Sequence, residues 1–411
     1  MESLRKTIKD RVLGSIDFYR DISDVEMYEL IDREMAQLLR YKALTIEQKK
    51  TLRREVFDSI RKLDVLQKLL DDPTITEIMV NGTDNIFIEK DGAIKKSELK
   101  FDSEEKLEDV VQQIVSSCNR VVNEASPIVD ARLGGSGNSR VNVVLPPASL
   151  SGPVLTIRRF PENPIDMDRL LEFGSISEEL KNYIAVLIRA GYNIFISGGT
   201  GSGKTTFLNA LSDFIPKDLR VISIEDNAEL QIRGVPNLVR LEARNANVEG
   251  CRPITIRDLI KSSLRMRPDW IIVGEVRGNE CVDMLQAMNT GHMAMSTGHA
   301  NSAEDMLSRI ETMVLMGIEI PLPAVRGQIA SGIDIVIHLG RLRDRSRKVL
   351  EVCELEKEID PKTGRIVVNP LFKYEETGTE DGRIKGEWRK VGELKGIEKL
   401  VAAGLELPPC S

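Results

Sequence analysis

The chain has 411 residues, a length that indicates two or three domains at roughly 150 residues per domain. Hydrophobic residues make up 41% and charged residues 29%, so each domain can bury a core and extensive disorder is not expected. The net charge of −7 and the 4% of aromatic residues argue against a protein that coats nucleic acid or anionic lipid, because such proteins need excess positive charge or base-stacking rings.

The chain opens with a charged, helix-prone stretch in which leucines recur at helical spacing between positions 63 and 70. We interpret residues 1–71 as a helical N-terminal region. Neither a signal-peptide core nor a run of roughly 20 apolar residues is found, so we expect a cytoplasmic protein. The five cysteines lie far apart without a CxxC pair, which disfavours a disulfide framework and a structural zinc site.

The next segment combines short apolar runs with tight turns at Asn81-Gly82 and Asp91-Gly92. The predicted elements are strands at 75–80 and 86–88, a helix at 105–117, a glycine-rich loop at 134–137 and a strand at 141–145. Residues 72–160 therefore predict a small α/β domain. Pro161 and Pro164 indicate a linker over 161–176, and residues 166–188 are interpreted as helices.

From Asn193 onward, buried strands alternate with helices, a pattern typical of a mostly parallel sheet. The predicted strands are Asn193–Ser197, Arg220–Glu225, Leu238–Glu242, Trp270–Val273, Met293–Thr297 and Ile333–His338. Capping motifs open helices at Thr255 and Ser302. We assign residues 177–375 to this second α/β domain and residues 376–411 to a C-terminal tail, where signals are few. A basic cluster over 341–348 is interpreted as a solvated turn or strand face, with a subunit or membrane-protein contact as the alternative.

Residues 198–205 directly follow the predicted strand Asn193–Ser197 and fit the phosphate-binding pattern GxxxxGK[ST]. A predicted helix begins at the end of this segment. The glycines of the segment let backbone N–H groups converge on a phosphate, and the helix N-terminus adds a favourable field. Lys204 is predicted to neutralise the β- and γ-phosphates, and Thr205 to ligate Mg²⁺. The predicted nucleotide-binding residues of this loop are Gly198, Gly199, Thr200, Gly201, Ser202, Gly203, Lys204, Thr205 and Thr206.

Carboxylates that follow two other strands are candidates for hydrolysis and for the metal. Glu275 follows Trp270–Val273, where it can orient and deprotonate the attacking water. The generic pattern has an aspartate just before this glutamate, but here that residue is Gly274. Mg²⁺ is therefore expected to use Thr205, waters and another carboxylate. The candidates for that carboxylate are Glu225, Asp226 and Glu229, and Glu225 is also a catalytic candidate.

Two histidines, His292 and His299, flank one predicted strand. Ligands bind at strand ends in this architecture, so we predict that His299 senses or stabilises the γ-phosphate and that His292 contributes to nucleotide binding. His338 lies inside a buried strand pattern and is predicted to be a core or interface residue. A third metal ligand at suitable spacing is lacking, which argues against zinc.

Taken together, these segments resemble the type II/IV secretion-system ATPase superfamily, and within it the Flp (tight-adherence) pilus assembly ATPases, the CpaF-like branch. The resemblance covers roughly residues 60–355. Asp72-Pro73 with Thr76–Gly82 resembles the N-terminal signature of that branch, and Glu225-Asp226 to Glu229-Leu230 resembles the acidic box of the superfamily. Arg267–Arg277 resembles its atypical Walker B segment, and Thr290–Ala300 resembles its histidine box.

The resemblance implies a bilobed α/β subunit, with a small PAS-like N-terminal domain and a RecA-like motor domain. It also implies ATP and Mg²⁺ as ligands, assembly as a homo-hexamer, and a peripheral position at the cytoplasmic face of the inner membrane through contact with a pilus or secretion platform protein. In the family, arginines of the N-terminal domain are presented to the nucleotide, where guanidinium groups can stabilise charge on the γ-phosphoryl group. The matching residues are Arg132, Arg140, Arg158 and Arg159.

The predicted function is that of an ATP-hydrolysing motor that powers Flp-type pilus biogenesis. A type IV conjugative-secretion ATPase is the nearest alternative, because its motor domain would look nearly alike. More distant alternatives are a RecA-like nucleic-acid translocase, which the acidic charge disfavours, and an adaptor that binds ATP without turnover, which Glu275 and the arginines disfavour. No nucleic-acid partner is expected.

Overall fold

The chain divides into two compact units, residues 1–162 and 163–411. The computed structural model describes residues 2–16, 22–39, 44–90, 92–118, 120–133, 139–159, 164–244 and 252–409. The glycine-rich loop at 134–137, Asp91, Pro161, Cys251 and Cys410 lie outside the described residues.

The first unit begins with helices that have a core of their own. Its described helices are α1 (Glu2–Ser15), α2 (Asp24–Leu38), α3 (Ile46–Arg61), α4 (Val65–Leu70) and α5 (Glu104–Ser117). Capping boxes start α2 at Ser23 and α3 at Thr45, where each hydroxyl accepts a backbone N–H bond from the first turn of its helix. The apolar faces of α1, α2 and α3 pack together around Ile8, Ile31 and Leu52, so the N-terminal region is a helical bundle.

An antiparallel sheet completes the first unit. Its strands are β1 (Ile75–Asn81), β2 (Ile86–Lys90), β3 (Ala93–Lys96), β4 (Ile128–Leu133), β5 (Ser139–Val144) and β6 (Val154–Arg159). Within the described residues the sheet order is β3-β2-β1-β6-β5-β4, and α4 and α5 pack on it around a second apolar core. The alternating burial of β5 indicates one face against the helices and one face left open.

The second unit is built on a larger sheet. Its described strands are β7 (Ile194–Gly198), β8 (Val221–Glu225), β9 (Leu238–Glu242), β10 (Trp270–Val273), β11 (Met293–His299), β12 (Ile335–Arg341), β13 (Arg347–Ile359), β14 (Ile366–Glu380) and β15 (Arg383–Lys390). The order is β15-β14-β13-β12-β7-β11-β10-β8-β9. Pairing is parallel from β12 to β9 and antiparallel from β12 to β15.

Helices cover both faces of the parallel part of this sheet. They are α6 (Met167–Glu172), α7 (Glu178–Arg189), α8 (Lys204–Ser212), α9 (Ile256–Ser263), α10 (Cys281–Asn289), α11 (Ala303–Gly317), α12 (Leu322–Gly332) and α13 (Glu398–Ala403). On β7, Ile194 and Ile196 pack with α6, α7 and α8, whereas Phe195 packs with α10 and α11 on the other face. Burial on both faces explains why these strands read as continuous apolar runs.

The six strands predicted in this unit are confirmed, with small shifts at their ends, and so is the predicted α/β fold class. The helices predicted over 166–188 are present as α6 and α7, and Met167 of α6 is buried in the core of the second unit. One other prediction needs correction. The predicted tail after residue 376 contains the end of β14 and all of β15, which extend the sheet. Ile384 is the one residue of β15 that is fully buried, so this strand lacks the apolar pattern that reveals the others. No helix in the described ranges is long and apolar enough to cross a bilayer.

Candidate functional site

Predicted site residues lie at the C-terminal ends of four neighbouring parallel strands, β7, β11, β10 and β8. Gly198 ends β7, Glu225 ends β8 and His299 ends β11, while Glu275 comes two residues after the end of β10. Because parallel strands share a direction, their C-terminal ends meet at the same edge, where ligands bind in open α/β sheets. The structure therefore brings these four residues together.

The phosphate-binding loop needs glycine at several positions. Gly201 and Gly203 have φ values of 71° and 91°, in the left-handed region that glycine adopts without strain. At Gly198, an added Cβ would lie 2.5 Å from both the carbonyl oxygen of Leu339 and the hydroxyl of Ser202, so a side chain cannot fit there. The helix α8 begins at Lys204 directly after the loop, with its N-terminal amides turned toward it.

The Lys204 ammonium is buried among acceptors of the loop itself. Its Nζ donates to the carbonyl oxygens of Gly198 at 3.1 Å and Gly199 at 2.9 Å, and lies 3.2 Å from Nδ1 of His299. Burial lowers the pKa of Lys204, and Glu275 opposes that shift. The ammonium is thus held beside the loop by weak neutral acceptors that a phosphate group can replace.

His299 links this lysine to the candidate catalytic carboxylate. An ammonium can only donate, so Nδ1 of His299 accepts and Nε2 carries the proton in the neutral ring. Nε2 lies 3.0 Å from Oε1 of Glu275, a buried oxygen without a well-aligned hydrogen bond from any described residue. Burial, together with Lys204, lowers the pKa of His299, which keeps the ring neutral. The geometry joins the phosphate loop to Glu275 through one imidazole.

A second contact to Glu275 comes from Arg277, whose Nη2 donates to Oε2 at 2.7 Å. Arg277 belongs to the Walker B-like motif, but its sequence alone suggests no role for it. Its position two residues after Glu275 could have identified it. Outside a regular strand, the side chains of two residues at this spacing can contact each other.

Glu225 occupies the space that the generic aspartate would fill. A Cβ added at Gly274 would lie 3.0 Å from Cγ of Glu225 and 3.6 Å from its Oε2. Oε2 accepts backbone N–H bonds from Glu229 and Leu230, both at 2.8 Å, whereas Oε1 is buried with no partner in the described part of the chain. Burial raises the pKa of Glu225 to about 7, although those two N–H donors oppose the shift. The missing aspartate at position 274 is thus matched by a carboxylate from the neighbouring strand.

Buried oxygen atoms of the site fit a nucleotide and Mg²⁺. Ser202 Oγ and Glu225 Oε1 have no partner among the described residues, and Glu275 Oε1 lies 3.0 Å from His299 Nε2 without a well-aligned hydrogen bond. Such atoms are costly unless a ligand or water satisfies them. Among the described residues, no group of three or more acidic, histidine or cysteine side chains is placed to hold a metal ion. Mg²⁺ in nucleotide sites uses one or two protein oxygens with waters and phosphates, and the unpartnered oxygen of Glu225 is of that kind.

The other predicted metal ligands are Thr205, Asp226 and Glu229. Thr205 lies in the first turn of α8 and is partly exposed. Asp226 is half exposed, 3.9 Å from Arg277 Nη1. Glu229 reaches Glu225 with its backbone N–H rather than its carboxylate. Thr205 and Glu225 are the better-placed metal candidates of this set, because one belongs to the loop and the other offers an unpartnered oxygen.

His292, predicted to contribute to nucleotide binding, lies away from the phosphate-binding loop. His292 precedes the first residue of β11, whereas His299 ends that strand beside Gly198. A seven-residue strand separates its two ends by about 20 Å, so only one of them can lie at the phosphate edge. His292 instead contacts the carbonyl oxygen of Ala287 through Nδ1 at 3.3 Å, at the end of α10. His338, predicted as a core residue, is buried and bonds Ser197 Oγ through Nδ1 at 2.7 Å.

Strand register aligns three of the four candidate arginines of the first unit. Arg132 of β4 faces Arg140 of β5, and Arg140 faces Arg158 of β6. Directly paired residues of antiparallel strands share a face, so these three form a row, here called the arginine row. Arg159 points to the other face, and its guanidinium donates to the backbone carbonyl oxygens of Asp72 and Ile75. Its role is to hold β6 to the start of β1, which makes it a poor candidate for nucleotide binding.

Comparison with known proteins gives a consistent assignment. Residues 60–392 match the family described as "Type II/IV secretion system protein". A Mycobacterium tuberculosis strain H37Rv protein named for conjugal transfer is 34% identical over 298 residues, which cover 71% of this chain and 84% of that protein. Conjugal transfer protein TrbB of Rhizobium radiobacter is 33% identical over 308 residues, covering 72% and 90%.

Among solved structures, the ATPase DotB of Legionella pneumophila is similar with a TM-score of 0.51 and 20% identity. The similarity covers 72% of this chain and 80% of DotB. At this identity the likeness concerns the fold alone.

Proposed function

This chain belongs to the type II/IV secretion system protein family, and from that premise we propose that it is an ATP-hydrolysing motor of a secretion or pilus-assembly machine. The observation that carries the proposal is the connected set of Lys204, His299 and Glu275 at the edge where the phosphate loop lies. A protein that only bound nucleotide would not need a carboxylate linked to the loop in this way.

In the proposed reaction, Glu275 accepts a proton from a water molecule whose oxygen attacks the γ-phosphorus of ATP. The bond from the γ-phosphorus to the β–γ bridging oxygen breaks, and ADP and orthophosphate leave. Lys204 and the loop amides stabilise the charge on the phosphates, and His299 responds to the γ-phosphate because it contacts both Lys204 and Glu275. Mg²⁺, held by Thr205 and Glu225, would neutralise charge on the phosphate oxygens.

The arginine row is proposed to contribute positive charge during turnover. Its three guanidinium groups share one face of the sheet, and Arg140 is only loosely paired with Asp130 at 3.5 Å. The resemblance to pilus ATPases supports this role. We further propose a homo-hexamer that works at the cytoplasmic face of the inner membrane through a platform protein, so that turnover should rise with protein concentration.

We propose that this motor drives assembly of an Flp-type pilus, because the N-terminal signature at Asp72–Gly82 resembles that of the Flp pilus ATPases. A conjugative type IV secretion system is the second candidate, and the relatives named for conjugal transfer favour it. Deletion of the gene separates the two: loss of surface pili with unchanged DNA transfer supports the first, and the reverse result supports the second.

The catalytic assignment is tested with two variants of the full chain. Lys204→Ala should weaken ATP binding, and Glu275→Gln should keep binding but lose hydrolysis, as measured by nucleotide titration and phosphate release. Normal steady-state turnover in both variants would show that Lys204 and Glu275 do not form the catalytic site.

A further inference from the structure

Two arginines of the hairpin between β12 and β13 border the phosphate-binding loop. Arg347, the first residue of β13, donates from Nε to the carbonyl oxygen of Gly201 at 2.9 Å. A Cβ added at Gly203 would lie 3.4 Å from Cδ of Arg347, and one added at Gly201 would lie 4.0 Å from Nη1 of Arg341. Arg341 ends β12 and pairs directly with Arg347 across the ladder. Both side chains therefore lie at the loop that Lys204 closes.

These two guanidinium groups carry charge that the described part of the protein does not neutralise. Neither the guanidinium group of Arg341 nor the terminal nitrogens of Arg347 form an ion pair or side-chain hydrogen bond with any described residue. By contrast, Arg343 in the same hairpin is paired with Glu376, and Arg389 on β15 is paired with Glu375. Like charges directly opposite each other on neighbouring strands repel. An anion between them would remove that repulsion.

The hairpin is held in place by the C-terminal strands. Asp344 at its turn accepts the backbone N–H of Ser346 through Oδ1 and that of Ile384 on β15 through Oδ2, both at 2.9 Å. Trp388 on β15 donates from Nε1 to the carbonyl oxygen of Val349 on β13 at 2.7 Å. These bonds hold the start of β13, and with it the backbone of Arg347, in a set position. The segment that the sequence presents as a tail thus supports the nucleotide loop.

We propose that Arg341 and Arg347 bind the phosphates of the nucleotide held by the P-loop, and that Arg347 also positions the loop through Gly201. The inference rests on the proposed function, since it assigns additional ligands to the same site. Guanidinium groups suit this task because their planar donors match phosphate oxygens and they keep their charge at every physiological pH. They belong to the same unit as Lys204, so this role is separate from that of the arginine row.

The test measures ATP and ADP affinity of the full chain, in the presence of Mg²⁺, by titration calorimetry. The double variant Arg341→Ala/Arg347→Ala should bind both nucleotides about tenfold more weakly or worse, because hydrogen bonds to charged groups are lost. Arg347→Lys should lie between wild type and the alanine variant, since it keeps the charge but not the Nε donor. The thermal midpoint without nucleotide should not change, because both side chains are exposed.

Arg389→Ala is the control, because it removes one positive charge from β15 of the same antiparallel extension, away from the loop, and should bind ATP like wild type. The proposal is overturned if the double variant binds ATP like wild type while Lys204→Ala does not, and in that case the proposed function still stands. It is also overturned if Arg389→Ala loses as much affinity, because net charge would then explain the effect. Failure of wild-type protein to bind ATP would instead remove the proposed function itself.

Discussion

The two sheets of this protein present their candidate residues in different ways. In the parallel sheet of the second unit, the candidate residues follow the strands, so their order along the chain already indicates that they meet. In the antiparallel sheet of the first unit, the arginine row lies within strands, and only the register of β4, β5 and β6 brings its members onto one face. A site at strand ends can therefore be predicted from sequence, whereas a site on a sheet face depends on how the strands pair.

The largest expected change in turnover concerns Glu275, which follows a strand of the parallel sheet. Glu275→Gln should lower turnover about 10³-fold, because general-base catalysis contributes 10²–10⁴-fold, while ATP affinity stays near that of wild type. Phosphate release at saturating ATP and nucleotide titration measure the two quantities. A turnover within a factor of about two of wild type would show that the carboxylate after β10 does not act as the base.

A smaller effect is expected in the first unit, where two neighbouring arginines on opposite faces form a matched pair. Arg140→Ala should lower turnover by about tenfold through the loss of charge-assisted contacts, with an unchanged unfolding midpoint. Arg159→Ala should leave turnover unchanged and lower the free energy of unfolding by about 1–2 kcal/mol, since it removes hydrogen bonds to two backbone carbonyls. The reverse pattern would mean that the register-based choice of face is wrong.

A third prediction tests whether Glu225 stands in for the missing aspartate. Gly274→Ala would place a methyl group 3.0 Å from Cγ of Glu225, whose carboxylate is held by two backbone N–H groups and cannot move freely. We expect a loss of about 1 kcal/mol or more in the free energy of unfolding and reduced Mg²⁺-dependent turnover.

The control for that variant is Gly327→Ala in α12, where an added Cβ meets nothing within 4 Å. It should be neutral or slightly stabilising, because alanine favours a helix more than glycine does. Equal effects of the two substitutions on chemical denaturation and on turnover would contradict the proposed packing of Glu225 against position 274.

The smallest expected effect is a dependence of stability on pH that arises inside the parallel sheet. Burial lowers the pKa of His338 below its usual range, although Glu351 and Asp305 oppose that shift. The unfolded chain therefore binds a proton more readily than the folded one, and stability should fall as the pH drops below about 6.5. Chemical denaturation at pH 7.5 and 5.5 measures the free energy of unfolding. Between these two pH values it should fall more for wild type than for His338→Asn, and an equal fall would contradict the prediction.

The sequence alone determined the parts of this protein that depend on local physics. Glycines in a GxxxxGK[ST] pattern after an apolar run predict a phosphate loop, because the pattern itself encodes the turn and the helix that follows. Fully apolar runs predict strands buried on both faces, and the six strands predicted in the second unit are present. The α/β fold class and the choice of Glu275 follow from the same reasoning.

Only the tertiary structure decided what depends on distant residues. The sequence could not show that Glu225 lies beside Gly274, or that Arg347 contacts the loop across 146 positions of chain. These contacts follow from strand order and register, which are set by long-range backbone pairing and packing rather than by neighbours in sequence.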